Sequence, residues 1–218
     1  MSDQRKIFIA GGTGYLGTHL IPVLLKNGHQ VTVLARPGSE KKVPQNCKIA
    51  TGDALDATSY QAEIDGADTF VHLVGVPHPS PSKAPLFRSI DLPALRASVA
   101  AASFARVSHF VYLSVAQPAS VMKEYLQTRA ECEQVISESG LNATFLRPWY
   151  VLGPGHRWAY ALLPLYWLFK RLPSTRETAL RLDLVGLDQM IGALVRGIEN
   201  PASGIRIVDA QQIKKARP

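Results

Sequence analysis

Cysteine is nearly absent: the 218 residues carry only Cys47 and Cys132. That pair has neither the spacing of a metal-ligand set nor the density of a disulfide scaffold. It reads as reduced thiols in a cytoplasmic protein, and no metal site is expected. A long apolar run is missing too. The stretch Trp158 to Phe169 falls well short of the roughly 20 residues that a membrane-spanning helix needs, and Pro164 interrupts it. The polar start, Met1 to Lys6, leads straight into an apolar segment and leaves no room for a signal peptide. Aromatic residues make up 8% of the chain, and the basic residues behind its net charge of +7 are scattered, with no aromatic-basic stripe among them. Nucleic acid is therefore not an expected partner. An anionic small ligand accounts for part of the charge.

What is present is a chain of 46% apolar and 19% charged residues, a balance that suits one sizeable α/β domain or a domain with a small appendage. Short apolar runs predict strands near 6 to 10, 30 to 35, 47 to 50, 68 to 74, 109 to 114 and 142 to 146. Helical periodicity fills 14 to 27, 86 to 106 and 119 to 138, with a short helix near 58 to 64. The alternation predicts a Rossmann-type doubly wound parallel sheet over residues 1–150. Beyond it, residues 151–218 are expected to form a small C-terminal lobe packed on the sheet. In that lobe Leu180, Leu182 and Leu184 alternate with Arg181 and Asp183 as a strand should. Asp188 is a candidate cap for a helix with Ile191, Leu194, Val195 and Ile198 on its inner face, and Pro201 to Gly204 turns into a strand at Ile205 to Val208. Lys214, Lys215 and Arg217 read as a solvated end.

The richest signal is Gly11-Gly12-Thr13-Gly14-Tyr15-Leu16-Gly17, placed after the run Ile7-Phe8-Ile9. Glycines permit positive φ and let a phosphate approach without a Cβ in the way, while free amides at the following helix start attract its charge. Leu16, Leu20, Val23 and Leu24 supply that helix with a sheet-facing stripe, and Pro22 inside it should bend the axis or force a local adjustment. A second strand follows at the distance a βαβ unit requires, which raises the motif above an ordinary glycine turn.

Dinucleotide sites that prefer NAD usually carry an acidic residue at the end of the second strand. Here that place holds Arg36, followed by Pro37-Gly38-Ser39 and then Lys41 and Lys42. A guanidinium fork, a hydroxyl and nearby positive charge suit a 2′-phosphate. The expected cofactor is NADP, ahead of NAD.

With Gly52-Asp53, Phe110-Val111-Tyr112-Leu113-Ser114 and Leu146-Arg147-Pro148, the glycine run resembles the short-chain dehydrogenase/reductase superfamily. Within it, the chain is most similar to the atypical and extended branches that include the NAD-dependent epimerase/dehydratase-like and NmrA-like proteins. The resemblance covers roughly residues 5 to 155. It implies that Asp53 and Ala54 lie against the adenine, that Leu73, Val74 and Gly75 run under the cofactor, and that Pro148 begins a segment near the nicotinamide.

In that superfamily a Tyr, a Lys four residues later and a nearby Ser or Thr carry proton transfer. The matching stretch here is Tyr125-Leu126-Gln127-Thr128-Arg129. The i, i+4 spacing puts both side chains on one helical face, so Arg129 is a candidate to hold the ribose and stabilise a Tyr125 phenolate. Arginine in place of lysine cannot join a relay by losing a proton. Ser114 is the candidate orienting hydroxyl, because Ala116 stands where the epimerase-like pattern often has the reacting Ser or Thr. His78 and His156 receive no role.

The segment 157–171, flanked by Arg157 and Lys170-Arg171, has three readings: a helix over the substrate cleft, a homodimer surface, or contact with a membrane surface without spanning it. Two functions stay open. One is an NADP-dependent oxidoreductase or epimerase-like enzyme acting on a small carbonyl or hydroxyl substrate; the other is a non-catalytic NADP(H)-binding sensor or assembly protein. The resemblance supports both, since some NmrA-like members and a related subunit of respiratory complex I are of the second kind.

Overall fold

The computed structural model describes residues 4–77, 79–155 and 161–216. His78, His156, residues 157–160 and Arg217 lie outside the described residues.

Seven parallel strands form the main sheet in the order β3-β2-β1-β4-β5-β6-β9. They are β1 (Lys6–Ala10), β2 (Gln30–Ala35), β3 (Lys48–Thr51), β4 (Thr69–His72), β5 (His109–Leu113), β6 (Ala143–Arg147) and β9 (Ile205–Asp209). The chain order reverses between β1 and β4, and a doubly wound sheet opens its ligand crevice at such a switch point. Apolar residues continue along β1 because both faces are covered. Ile7 and Ile9 pack in one core with Leu20, Leu24, Met190 and Leu194, whereas Phe8 and Ala10 pack in another with Tyr60, Phe70, Phe110 and Ile136. The first core is closed by helices α1 (Tyr15–Lys26) and α7 (Leu187–Glu199), the second by α3 (Leu92–Phe104) and α4 (Lys123–Glu138). Helix α1 runs through Pro22 over all 12 of its residues.

The expected helix over 86 to 106 is three pieces: one turn, α2 (Ala84–Leu86), a π-helical turn at Phe87–Asp91, and then α3. Pro93 has no N–H for an α-type bond, and the Leu92 N–H reaches back to the Phe87 carbonyl instead. The short helix expected near 58 to 64 is two 3₁₀ turns, at Ala57–Ser59 and Gln61–Ile64. Helix α4 begins at Lys123 instead of residue 119, after Met122 in the left-handed region at φ 56°.

After β6 the chain forms β7 (Tyr150–Leu152), α5 (Leu163–Arg171), α6 (Pro173–Arg181) and β8 (Leu184–Gly186), with β7 and β8 paired in a small parallel sheet of their own. Leu180 therefore lies in the last turn of α6 instead of opening the expected strand. Alternation over five residues does not separate the two states, and pairing with β7 decides where the strand sits. Asp188 is not the cap of α7: Gly186 is, with its N–H donating to Gln189 Oε1 at 2.8 Å, and Asp188 lies exposed in the first turn. There its charge faces the positive end of the helix dipole. Helix α8 (Ala210–Lys214) corrects the reading of a solvated end for Lys214, while Lys215 is exposed as expected. Lys214 Nζ lies 2.7 Å from the buried carboxylate of Asp183, and Lys170 of α5 lies 2.6 Å from the same oxygen. Burial alone would raise the Asp183 pKa, but these two ammonium groups and Gln211 outweigh it and lower it.

Candidate active site

The turn after β1 is built around missing side chains. Gly11 has φ +88°, and a Cβ there would stand 2.7 Å from the Leu73 carbonyl carbon; a Cβ on Gly17 would stand 2.4 Å from the Gly12 carbonyl oxygen. The Gly14 N–H closes the turn onto the Gly11 oxygen at 3.0 Å. No side chain caps α1 at Gly14, and the positive end of the helix dipole favours an anionic group there.

This turn forms one wall of a cleft of about 570 Å³ at the switch point. The structure brings to it Gly11, Thr13 and Gly14 from the glycine run, Arg36 and Ser39 from the end of β2, Asp53 and Ala54 after β3, and Leu73, Val74 and Gly75 after β4. Arg36 is exposed at the cleft, in a turn closed by the Ser39 N–H on the Arg36 carbonyl at 2.9 Å. Asp53 Oδ1 accepts the Leu55 N–H at 3.0 Å, which fixes the carboxylate against its own loop. Three other expected residues serve the walls instead of lining the cleft. Tyr15 and Leu16 pack against the α1 and α7 core, and Gly17 packs on Gly12.

Lys83, Leu86 and Ile90 also line the cleft and were not expected there. Lys83 Nζ donates to the Pro77 carbonyl at 2.5 Å, and with Arg36 it gives the cleft lining two basic residues. Nothing in the spacing marks these three, because the loop after β4 folds over the cleft only in three dimensions.

Of the residues proposed for chemistry, Arg129 and Tyr125 lie in contact, whereas the Ser114 hydroxyl is engaged by Glu133. Arg129 is 5% exposed, and its guanidinium donates to Asp91 Oδ2 at 3.1 Å, to the Tyr112 hydroxyl at 3.1 Å and to the Leu113 carbonyl at 3.0 Å. It lies behind Gly75, where a Cβ would meet its Nη2 at 2.4 Å. The Tyr125 ring packs tilted against Phe87 at 5.0 Å and under the Arg129 guanidinium at 5.2 Å, and it lines a separate depression with Pro81, Ala84 and Lys123. Ser114 Oγ donates to Glu133 Oε1 at 2.5 Å, and the same carboxylate accepts Gln117 Nε2 and a two-pronged contact from Arg147. Pro148 is buried beyond β6, with its carbonyl accepting the Ala116 N–H at 2.9 Å.

Asp91 is the residue that sequence reasoning missed. Besides holding Arg129, its Oδ1 accepts the Val76 N–H at 2.8 Å, so one buried carboxylate ties α4 to the loop that floors the cleft. Burial pushes the Asp91 carboxyl up, against the pull of Arg129 and the Val76 N–H. A signal was there to read: an acid inside the apolar run Ile90-Asp91-Leu92 needs a buried partner. Nearby His72, at the end of β4, bonds the Ser98 hydroxyl through Nδ1 at 2.9 Å; burial, helped by Arg129, lowers its pKa to about 3.

The cleft fits an elongated ligand with phosphates at one end of a helix, and comparisons with known proteins agree. The model of a family described as NAD(P)H-binding matches residues 11–160. A ceramide reductase of Caulobacter vibrioides is 24% identical over 207 residues, covering 94% of this chain and 64% of that protein. A 3β-hydroxysteroid dehydrogenase/Δ5→4-isomerase of Mycobacterium tuberculosis is 31% identical over 75 residues, 34% of this chain and 20% of its own length. The chain thus spans less than two thirds of these relatives. Among solved structures, the Bordetella bronchiseptica enzyme WbmH in complex with NAD⁺ shares the fold at a TM-score of 0.70 and 20% identity, covering 95% of this chain and 76% of that one. A UDP-N-acetylglucosamine 4-epimerase from Bacillus cereus does so at 0.70 and 15%, with the same coverage. With its family model matched over residues 11–160, this chain belongs to the NAD(P)H-binding family.

Proposed function

We propose that this protein is an NADP(H)-dependent oxidoreductase acting on a carbonyl or hydroxyl carbon of a small substrate. The observation that carries the cofactor preference is Arg36 at the end of β2, lining the cleft beside Ser39 where an acidic residue would favour NAD. The glycine turn would hold the pyrophosphate, Asp53 and Ala54 would face the adenine, and Leu73 to Gly75 would floor the cleft. When bound, the nicotinamide would supply the hydride to a carbonyl carbon or take it from a hydroxyl-bearing one. Likeness to a ceramide reductase across 94% of the chain supports the reductase reading. Tyr125, the position that the family pattern marks, is the proposed proton donor, reaching the cleft from the depression beside it; Arg129 acts in this reading from behind the cleft floor, by its charge on Tyr125, and Ser114 is held on Glu133.

A second reading is an NADP(H)-binding sensor or assembly protein without turnover. It is favoured by the engagement of Arg129 with Asp91, Tyr112 and Leu113, and of Ser114 with Glu133.

The two are separated by measuring NADPH binding by fluorescence alongside turnover of a panel of aldehydes and ketones. The enzyme reading expects turnover that Tyr125→Phe abolishes while NADPH affinity holds. Tight NADPH binding with no turnover of any carbonyl compound would support the sensor.

A further inference from the structure

Helix α5 (Leu163–Arg171) turns a narrow stripe inward. Leu162 and Tyr166 pack with Leu152 and Leu184, and one turn further Lys170 reaches the buried Asp183. The remainder of its surface is apolar and open to solvent: Leu163, Leu165, Trp167, Leu168, Phe169 and, just beyond the helix, Leu172 are all exposed, with Trp167 at 56%. Single exposed apolar side chains are ordinary, but six within ten positions on one short helix form a patch of the kind that marks a contact surface.

Charge decides what the surface fits. No Asp or Glu occurs from 161 to 176, whereas Lys170, Arg171 and Arg176 do. The next carboxylates along the chain, Glu177 and Asp183, pair with Arg181 and Lys170, and Arg171 and Arg176 are exposed. Arg171 lies over the Trp167 ring at 3.7 Å, so the large indole and a guanidinium stand together at the edge of the patch. An indole with its apolar body and polar N–H, paired with a cation, suits the boundary between lipid headgroups and acyl chains. At about 14 Å, nine residues of helix are too short to cross a bilayer and long enough to lie in its surface. A second copy of this chain fits worse, because an isologous contact would face Arg171 and Arg176 of one copy with the same arginines of the other.

We infer that α5, with Leu172 and the Arg171–Arg176 rim, docks this protein on the surface of an anionic lipid membrane. The helix lies in the interface plane, Trp167, Leu168 and Phe169 enter the acyl boundary, and the two arginines meet lipid phosphates or carboxylates. The inference does not depend on whether the protein turns over a substrate.

The test is flotation of the full chain with phosphatidylcholine vesicles and with phosphatidylcholine/phosphatidylserine vesicles. Binding to the anionic vesicles is expected, with a blue shift of tryptophan emission and weakening as salt rises. Trp167→Glu with Leu168→Glu should lower it by at least about tenfold. Arg171→Glu with Arg176→Glu should remove the preference for phosphatidylserine. Unchanged melting temperature and NADPH affinity in both variants show that the fold is kept. The inference is overturned if the chain floats no better with anionic vesicles than without lipid, or if Trp167→Glu/Leu168→Glu binds like the parent. Dimerisation of the parent that this double substitution abolishes would overturn it as well, by assigning the patch to a second copy.

Discussion

Gly17 sits so close to Gly12 that its missing Cβ would fall within 2.6 Å of three backbone atoms. Backbone cannot swing aside as a flexible side chain can, so Gly17→Ala must push α1 away from the β1 turn. A cost of about 1–3 kcal/mol is expected from such overpacking, read as a lower urea midpoint, together with weaker dinucleotide binding. Arg36 is different, being exposed and free of any packing role in the core. Arg36→Asp should leave the melting temperature nearly unchanged and reverse the preference from NADPH to NADH in parallel fluorescence titrations. Tighter NADH binding by the unsubstituted protein would remove the role given to this arginine. Both residues were readable in the sequence, since a motif of fixed spacing states which backbone must come close to which.

At the scale of elements, the floor of the cleft depends on two segments distant in sequence. The π-helical turn at Phe87–Asp91 supplies Asp91, and α4 supplies Arg129; between them they hold the Val76 N–H and the end of β5 at Leu113. Removing one partner of a buried pair strands the other charge, at a cost of about 3–5 kcal/mol. Asp91→Ala should therefore destabilise the protein by that order in urea unfolding and loosen dinucleotide binding. Asp91→Asn, which keeps an acceptor for Val76, should cost less. The i, i+4 pair Tyr125 and Arg129 was legible from the sequence, but the partners of Arg129 were not. Periodicity shows which face of a helix a residue shares; it does not show that an acid from another helix waits beneath it.

For the whole molecule, buried histidines set the acid limit. Burial, aided by Arg129, lowers the His72 pKa to about 3, and burial aided by Arg206 and Arg5 lowers that of His109 to about 4. The unfolded chain protonates both near pH 6.5 while the folded chain refuses the protons, so folding stability is full above that pH and falls as pH drops toward 4. Each histidine contributes about 1.4 kcal/mol per pH unit within its window. Asp183, with its lowered pKa, adds a further loss once the pH falls below the ordinary carboxylate range. Urea midpoints measured from pH 7 to pH 4 should fall steadily, and His72→Gln should flatten part of that slope. A midpoint that does not change over this range would show that the two histidines titrate freely in the fold.

The sequence by itself determined the parallel sheet and the dinucleotide turn. Strands covered on both faces must be apolar throughout, and a backbone that meets phosphate must do without Cβ atoms; both requirements are local and leave a periodic mark. The β8 strand, the cap of α7 and the partners of Lys214 were decided by the tertiary structure. So were Asp91 beneath the cleft floor and the surroundings of Ser114 and Arg129. Apart from that cap, which is local to Gly186 and Gln189, each of these depends on a group brought from elsewhere in the chain, and burial selects that group for charge and hydrogen bonding without leaving a spacing to read.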